Sequence, residues 1–115
     1  MSTLLSDFRE ADLLSPKRMS RRLGLSITEL ARLAHLHRSS LSRASSPTVQ
    51  VRLQRIARIL TEVEELTNDP SQAVVWFRHQ PIPAFGGKTA QDLVEAGHAE
   101  AVFAFLEHLR DGGYA

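Results

Sequence analysis

Arginine side chains concentrated in the first sixty residues are the clearest candidates for chemistry in this chain. Residues 1–60 hold eleven Lys/Arg against four Asp/Glu, a net charge of +7, and ten of the eleven cations are arginine. A guanidinium binds phosphate oxygens and guanine edges through two parallel hydrogen bonds, a geometry that lysine lacks. This half of the chain therefore predicts a surface for nucleic acid, with chance clustering on a solvated face as the alternative.

The remaining residues have the opposite charge and place their unusual chemistry on turns. Residues 61–115 carry three Lys/Arg against nine Asp/Glu, a net charge of −6. A Pro-Ile-Pro sequence at residues 81–83 leads through Phe85 into Gly-Gly-Lys-Thr, and the chain ends Gly-Gly-Tyr-Ala. No strand and no further glycine at the proper spacing precede Gly-Gly-Lys-Thr, so a helix-capping turn is favoured over a phosphate-binding loop. These segments are predicted to present side chains, Phe85 above all, to a protein partner. The other large rings of this half are predicted to lie in the core, namely Trp76, Phe77, Phe103 and Phe105.

Neither catalysis nor metal binding is indicated. No nucleophile stands beside an evident base, and the five histidines are too scattered to form a ligand set. The absence of cysteine fits a reducing cytoplasm. The apolar runs are too short to span a membrane, and acidic residues near the N-terminus do not fit a signal peptide. We therefore expect a cytoplasmic protein that is not an enzyme and needs no cofactor or metal.

Helical periodicity and helix caps predict an all-α fold. Ser15 caps a helix that stops at Gly24, and Ser26 with Glu29 forms a capping box at the next helix. Thr89 with Asp92 starts a later helix in the same way, and Gly97 closes it. Leu41 is predicted to point inward. The predicted helices span about residues 16–23, 27–34, 38–44, 48–67, 71–79, 89–96 and 99–110, after an N-terminal arm or short helix. Since the change of charge falls inside the longest helix, a helix-turn-helix bundle is predicted to share that helix with a small C-terminal module.

The sequence from Glu29 to Arg43 resembles the helix-turn-helix of phage-repressor-like regulators. Ala31 supplies the small residue where two helices cross, and His35 stands where that family usually has a left-handed glycine, a conformation that histidine tolerates at some cost. The resemblance implies operator binding by a dimer or higher assembly, because one copy reads too few base pairs. The predicted base-reading residues are Arg38, Ser39, Ser40, Ser42 and Arg43. The predicted phosphate contacts are Lys17, Arg18, Arg21, Arg22, Arg52 and Arg55.

The last part of the chain, about residues 70–115, resembles the toxin-binding domain of Xre/MbcA/ParS-type antitoxins. The resemblance rests on an aromatic helix with Trp76 and Phe77, the proline-containing loop, the Gly-Gly-Lys-Thr turn and the glycine tail. Ala90 stands where many relatives have proline. The resemblance implies an antitoxin that neutralises a RES-domain toxin, an NAD-consuming enzyme similar to ADP-ribosyltransferases. It also implies that the antitoxin covers the toxin's active site and represses its own promoter.

The same resemblance implies a binding surface and a division of the chain. The predicted toxin-binding residues are Phe85, Gly86, Gly87, Lys88, Arg110, Gly112, Gly113, Tyr114 and Ala115, with the terminal carboxylate entering the NAD pocket. The predicted regions are an arm at 1–15, the helix-turn-helix region at 16–67 and the toxin-binding module at 68–115. The expected assembly is a homodimer or a toxin–antitoxin hetero-oligomer. Two alternatives are a stand-alone dimeric repressor and a toxin inhibitor that has lost DNA binding.

Overall fold

A computed structural model describes residues 2–112 of the chain. They form two compact units that divide between Arg58 and Ile59. The helices are α1 (Thr3–Phe8), α2 (Pro16–Leu23), α3 (Ile27–Leu33), α4 (Pro47–Thr67), α5 (Pro70–His79), α6 (Ala90–Glu95) and α7 (Ala99–Arg110). Two 3₁₀ helices (Arg38–Ser42 and Pro83–Phe85) and two short strands, β1 (Arg9–Glu10) and β2 (Leu13–Leu14), complete the regular structure of these residues. The predicted all-α class is confirmed, while the functional boundaries after residues 15 and 67 stay predictions.

The N-terminal arm belongs to the body of the first unit. Leu4 and Phe8 of α1 are fully buried, and α1 packs against α2. The chain then turns at Ala11, whose φ is 56°, into a two-residue antiparallel ladder that the helical pattern did not predict. Gln50 of α4 stabilises this turn, since its side chain accepts the Leu14 N–H at 3.0 Å and donates to the Leu14 carbonyl at 2.9 Å. An amide side chain thus takes the place of a neighbouring strand.

Predicted caps set the helix ends of the first unit. The Ser15 hydroxyl accepts the Arg18 N–H at the start of α2, and α2 ends at Gly24 in the left-handed conformation, with φ of 70°. Both hydrogen bonds of the Ser26–Glu29 capping box are present at the start of α3. His35 follows α3 with φ of 58°, so the predicted left-handed histidine is confirmed.

The third predicted helix of this unit is wrong in type and length. Residues Arg38–Ser42 form a 3₁₀ helix, where an α-helix over residues 38–44 was predicted. Serine competes for backbone hydrogen bonds and therefore disfavours helix interiors. Here the Ser39 N–H donates to the ring nitrogen Nδ1 of His37 at 3.3 Å, and the Ser42 hydroxyl donates to the Ser39 carbonyl at 2.7 Å. Leu41 is buried as predicted and anchors this short segment.

The second unit contains the end of α4 and the helices α5 to α7. Asp69 caps α5 by accepting the N–H groups of Ser71 and Gln72, and Thr89 and Asp92 form a complete capping box at α6. Helix α5 packs against α6 and α6 packs against α7. The fully buried side chains of the second unit include Phe77, Ile82, Val102 and Leu106. Across residues 2–112, no helix combines the length and apolar character needed to cross a membrane.

Candidate functional site

Three of the five predicted base-reading residues, Arg38, Ser39 and Ser42, line a groove in the first unit. Arg38, Ser39, Ser42 and Arg43 are exposed, whereas Ser40 is half-buried. The groove has a volume of about 730 Å³. It is lined by Ser15, Pro16, Lys17, Ile27, His37, Arg38, Ser39, Leu41 and Ser42. This concave, largely apolar surface differs from the convex α-helix that enters a DNA major groove.

Two of the arginine side chains predicted to contact phosphate already bond other groups of the protein. Nη1 of Arg52 donates to the carbonyl oxygens of Ala34 and His35 at 3.3 and 3.0 Å. Nε of Arg22 lies 3.1 Å from a carboxylate oxygen of Asp7. Phosphate groups would therefore have to compete with these contacts or share the guanidinium groups.

Basic side chains of α2 also line a second cleft, of about 540 Å³, in the same unit. Arg21 is exposed, and Arg18 lies 3.9 Å from Glu10 in a loose ion pair between two largely exposed side chains. The cleft is lined by Asp7, Glu10, Ser15, Lys17, Arg18, Arg21 and Arg22. Its cations suit phosphate oxygens, and its two carboxylates weaken that attraction.

Three aromatic rings contact one another at the surface of the second unit. The rings of Trp76 and Phe105 are stacked, with centroids 6.3 Å apart and planes 11° apart. Phe85 meets Phe105 edge to face, with centroids 6.0 Å apart. All three side chains are half-buried, whereas Phe77 of the same unit is fully buried. Phe85 was predicted as a surface anchor, but Trp76 and Phe105 were assigned to the core.

The loop that carries Phe85 closes on itself. The Ile82 N–H donates to the Lys88 carbonyl at 2.9 Å, and the Gly87 N–H donates to the Ile82 carbonyl at 3.0 Å. Gly86 and Gly87 have φ of 68° and 83°, and a Cβ added at either would meet no atom within 4 Å. The left-handed backbone accounts for these glycines, and their outer surface is open to a partner.

The remaining predicted toxin contacts lie on α7 and beyond it. Nη2 of Arg110 donates to Glu62 Oε1 at 2.8 Å, and this hydrogen bond raises the pKa of Arg110 above its usual value. Lys88 and Gly112 are exposed, and Gly112 has φ of 88°. Gly113, Tyr114 and Ala115 lie outside the described residues. Within residues 2–112, no group of three or more His, Cys, Asp or Glu could hold a metal ion.

Trp76 and Phe105, which were predicted to lie in the core, share a weak sequence signal of their partial exposure. Phe105 directly precedes the buried Leu106, so it lies about 100° around the helix from it, beside the buried stripe and outside its centre. Trp76 stands in the same relation to Phe77 on α5. Large rings flanking a buried stripe indicate a boundary position, which can be read from spacing once the stripe is known.

The fold is similar to that of a known antitoxin assembly. A chain of the crystal structure of the M. tuberculosis MbcT-MbcA toxin-antitoxin complex matches with a TM-score of 0.59 and 24% sequence identity. The match covers 88% of this chain and 95% of that chain, and at this identity it establishes the fold. No curated protein matches the sequence at a significant level.

The family model separates the second unit from other helical bundles. Residues 62–112 match the antitoxin Xre/MbcA/ParS C-terminal toxin-binding domain. This match confirms the predicted resemblance of the last part of the chain to that toxin-binding domain.

Proposed function

We propose that this chain neutralises a RES-domain toxin, an NAD-consuming enzyme similar to ADP-ribosyltransferases, by covering its active site. The observation that carries the proposal is the match of residues 62–112 to the toxin-binding domain. The regulator itself supplies no catalysis. Its second unit presents the aromatic rings, the glycine turn and Lys88, and its C-terminal tail follows α7 directly.

Charge supports an active-site target for this unit. Residues 61–115 have a net charge of −6. An enzyme that binds NAD must hold a pyrophosphate, and such sites are built from cations and helix N-termini. A module with this excess of acidic side chains is therefore electrostatically complementary to that cleft. Gly112, in its left-handed conformation, turns the chain at the end of α7 before the tail begins.

Deletion of residues 112–115 tests the role of the tail. Full-length and shortened chains are each mixed with the proposed RES-domain toxin, and both binding and NAD consumption are measured. We expect the shortened chain to bind the toxin through the rest of the module but to leave NAD consumption active. Complete inhibition by the shortened chain would show that the tail is dispensable for blocking the active site.

We further propose that the first unit binds operator DNA as a homodimer or as part of a toxin–antitoxin hetero-oligomer, and so represses its own operon. The net charge of +7 in residues 1–60 and the exposed side chains of Arg38 and Arg43 support this. A second candidate, an inhibitor without DNA binding, is favoured by the five-residue 3₁₀ helix where a recognition α-helix was expected. It is also favoured by the contacts that already occupy Arg22 and Arg52.

Replacement of Arg38 and Arg43 by alanine distinguishes these candidates. Binding to the chain's own promoter fragment is measured at several salt concentrations, with Arg9→Ala as the exposed-arginine control. Under the operator-binding proposal, the double variant loses specific binding because both arginines are predicted to contact bases. No specific binding by the unaltered chain supports the inhibitor without DNA binding, and unchanged binding by the double variant means that other residues read the operator. Operator binding by a chain that engages no toxin supports the stand-alone repressor.

A further inference from the structure

We infer that Trp76, Phe85 and Phe105, together with the Gly86–Gly87 turn, form the face that anchors this module on the toxin. These five residues are called the aromatic face below. The inference rests on the proposed antitoxin function and adds Trp76 and Phe105, which the sequence assigned to the core. It assigns the binding energy to this face and leaves the tail the separate task of blocking the active site.

The three rings are held in place by their contacts with one another, yet each remains partly exposed. They form one contact series, with Phe105 between the stacked Trp76 and the edge-on Phe85. Each remains half-buried, while Phe77, Val102 and Leu106 fill the interior of the same unit. Rings that are already held in place lose little conformational freedom on binding. For that reason tryptophan and tyrosine are enriched among the residues that dominate interface energies, and large rings act as anchors.

Gly86 and Gly87 extend this face with backbone that carries no side chain. Gly86 and Gly87 adjoin Phe85, and their loop is closed by the hydrogen bonds between Ile82 and Lys88 and between Gly87 and Ile82. Open space surrounds the position of a Cβ on either glycine. A partner that packs on Phe85 can therefore approach this backbone closely, which a side chain would prevent.

Helix α7 connects the aromatic face with the tail. Ala101, Phe105 and Leu109 are half-buried at four-residue spacing, and Gly112 follows three residues later. Residues at this spacing share one side of a helix. Phe105 and Leu109 therefore lie on one side of α7, whose end leads through Gly112 towards the tail, and this order suits a partner that receives both.

The charge of the unit indicates the toxin as the occupant in preference to a second copy. Residues 61–115 carry nine acidic and three basic side chains. In a symmetric contact, the same acidic unit of a second copy would face this one and repel it, whereas an enzyme that holds a pyrophosphate offers cations around an apolar base-binding wall. The chemistry that fits the aromatic face is therefore an apolar surface with a basic rim.

The test measures the affinity of full-length variants for the proposed RES-domain toxin. Phe85→Ala and Trp76→Ala remove rings, and Gly86→Asn adds a side chain that tolerates the left-handed conformation. Val75→Ala is the matched control for ring removal, because Val75 is an apolar side chain of α5 that is 51% exposed. Gly97→Asn is the control for the turn, since Gly97 has φ of 90° and equally open surroundings. Thermal unfolding checks that each variant is folded.

We expect Phe85→Ala and Trp76→Ala to weaken toxin binding by at least about 30-fold, and Gly86→Asn to weaken it as well, with both controls within about twofold. Because Phe85 and Gly86 lie on the loop, they decide the matter even if Trp76→Ala fails to fold. Variants that bind like the controls overturn the inference while the antitoxin proposal stands. Failure of the unaltered chain to bind overturns the proposed function and this inference with it. Loss of self-association with unchanged toxin binding also overturns the inference, because the face would then join two copies of the chain.

Discussion

One short helix in each unit begins in the same way. Ser26 at α3 and Thr89 at α6 each accept the backbone N–H of the residue three positions later, both at 3.0 Å. In return, Glu29 accepts the Ser26 N–H at 2.9 Å and Asp92 accepts the Thr89 N–H at 3.0 Å. The two helices are therefore a natural comparison between a region that resembles a DNA reader and a toxin-binding module.

The two helices also end with the same hydrogen bonds but with different residues. Each closes in a Schellman arrangement after an alanine C-cap. The four bonds run from the His35 N–H to the Arg32 carbonyl (3.2 Å), Leu36 to Ala31 (2.9 Å), Gly97 to Val94 (3.0 Å) and His98 to Leu93 (2.7 Å). The left-handed position is His35 in the first unit and Gly97 in the second, with φ of 58° and 90°.

The difference shows two ways of holding a turn. Glycine adopts the left-handed conformation without a steric cost, and a Cβ at Gly97 would meet no atom within 4 Å. Histidine bears a cost in that conformation, and the side chain of Arg52 binds the His35 carbonyl from α4. In the first unit, α4 therefore stabilises distant segments through polar side chains, as Gln50 does for the β1–β2 turn. In the second unit, the turn after α6 relies on glycine and on its own backbone bonds.

The largest expected effect concerns Gln50, which is 8% exposed and bonds Leu14 and the Ala44 carbonyl. Gln50→Met keeps the size of the side chain but leaves these backbone groups unsatisfied. An unsatisfied buried polar group costs about 1–3 kcal/mol, so we expect a loss of about 2–3 kcal/mol in the free energy of unfolding. The measurement is chemical denaturation, with the exposed Gln54→Met as control. Equal stability of the two variants would show that α4 does not hold the N-terminal turn.

A smaller effect is expected from exchanging the left-handed residues. His35→Gly should raise the free energy of unfolding by about 0.5–1 kcal/mol, and Gly97→His should lower it by about 1 kcal/mol. If Arg52 supports the strained histidine, Arg52→Ala should cost less stability in the His35→Gly background than in the unaltered chain. A double-mutant cycle measures this coupling. Additive changes would mean that the bond from Arg52 to the His35 carbonyl does not depend on the strain.

Local sequence rules predicted what neighbouring residues determine. The capping boxes at Ser26 and Thr89, the helix stop at Gly24 and the left-handed conformation of His35 were all predicted and found. Each depends on a residue and its neighbours within five positions. The 3₁₀ helix at Arg38–Ser42 was not predicted. The buried position of Leu41 was predicted correctly, but hydrogen bonds from serine side chains to the backbone competed with the α-helical pattern.

Features that depend on distant contacts were beyond these rules. The bonds from Gln50 to Leu14 and from Arg52 to His35 join residues 36 and 17 positions apart. The same limit applied to the candidate sites, because charge assigned Arg52 to DNA and the family resemblance assigned Arg110 to the toxin. Their carbonyl and carboxylate partners became visible only in the folded chain. Likewise, Trp76 and Phe105 could be separated from the core only after Phe77 and Leu106 were found to fill it.

The smallest expected difference lies at the two helix starts. Ser26→Ala and Thr89→Ala each remove one side-chain acceptor from an exposed capping box, so each should cost about 1 kcal/mol. Because the bonds have the same lengths in both boxes, the two losses should agree within about 0.5 kcal/mol when measured by denaturation. Thr28→Ala, an exposed hydroxyl within α3, is the control and should be near neutral. A loss at Thr89 with none at Ser26 would mean that the contacts of α3 with α2 and the first 3₁₀ helix fix its start without the cap. The two units would then differ at their helix starts as well as at their left-handed turns.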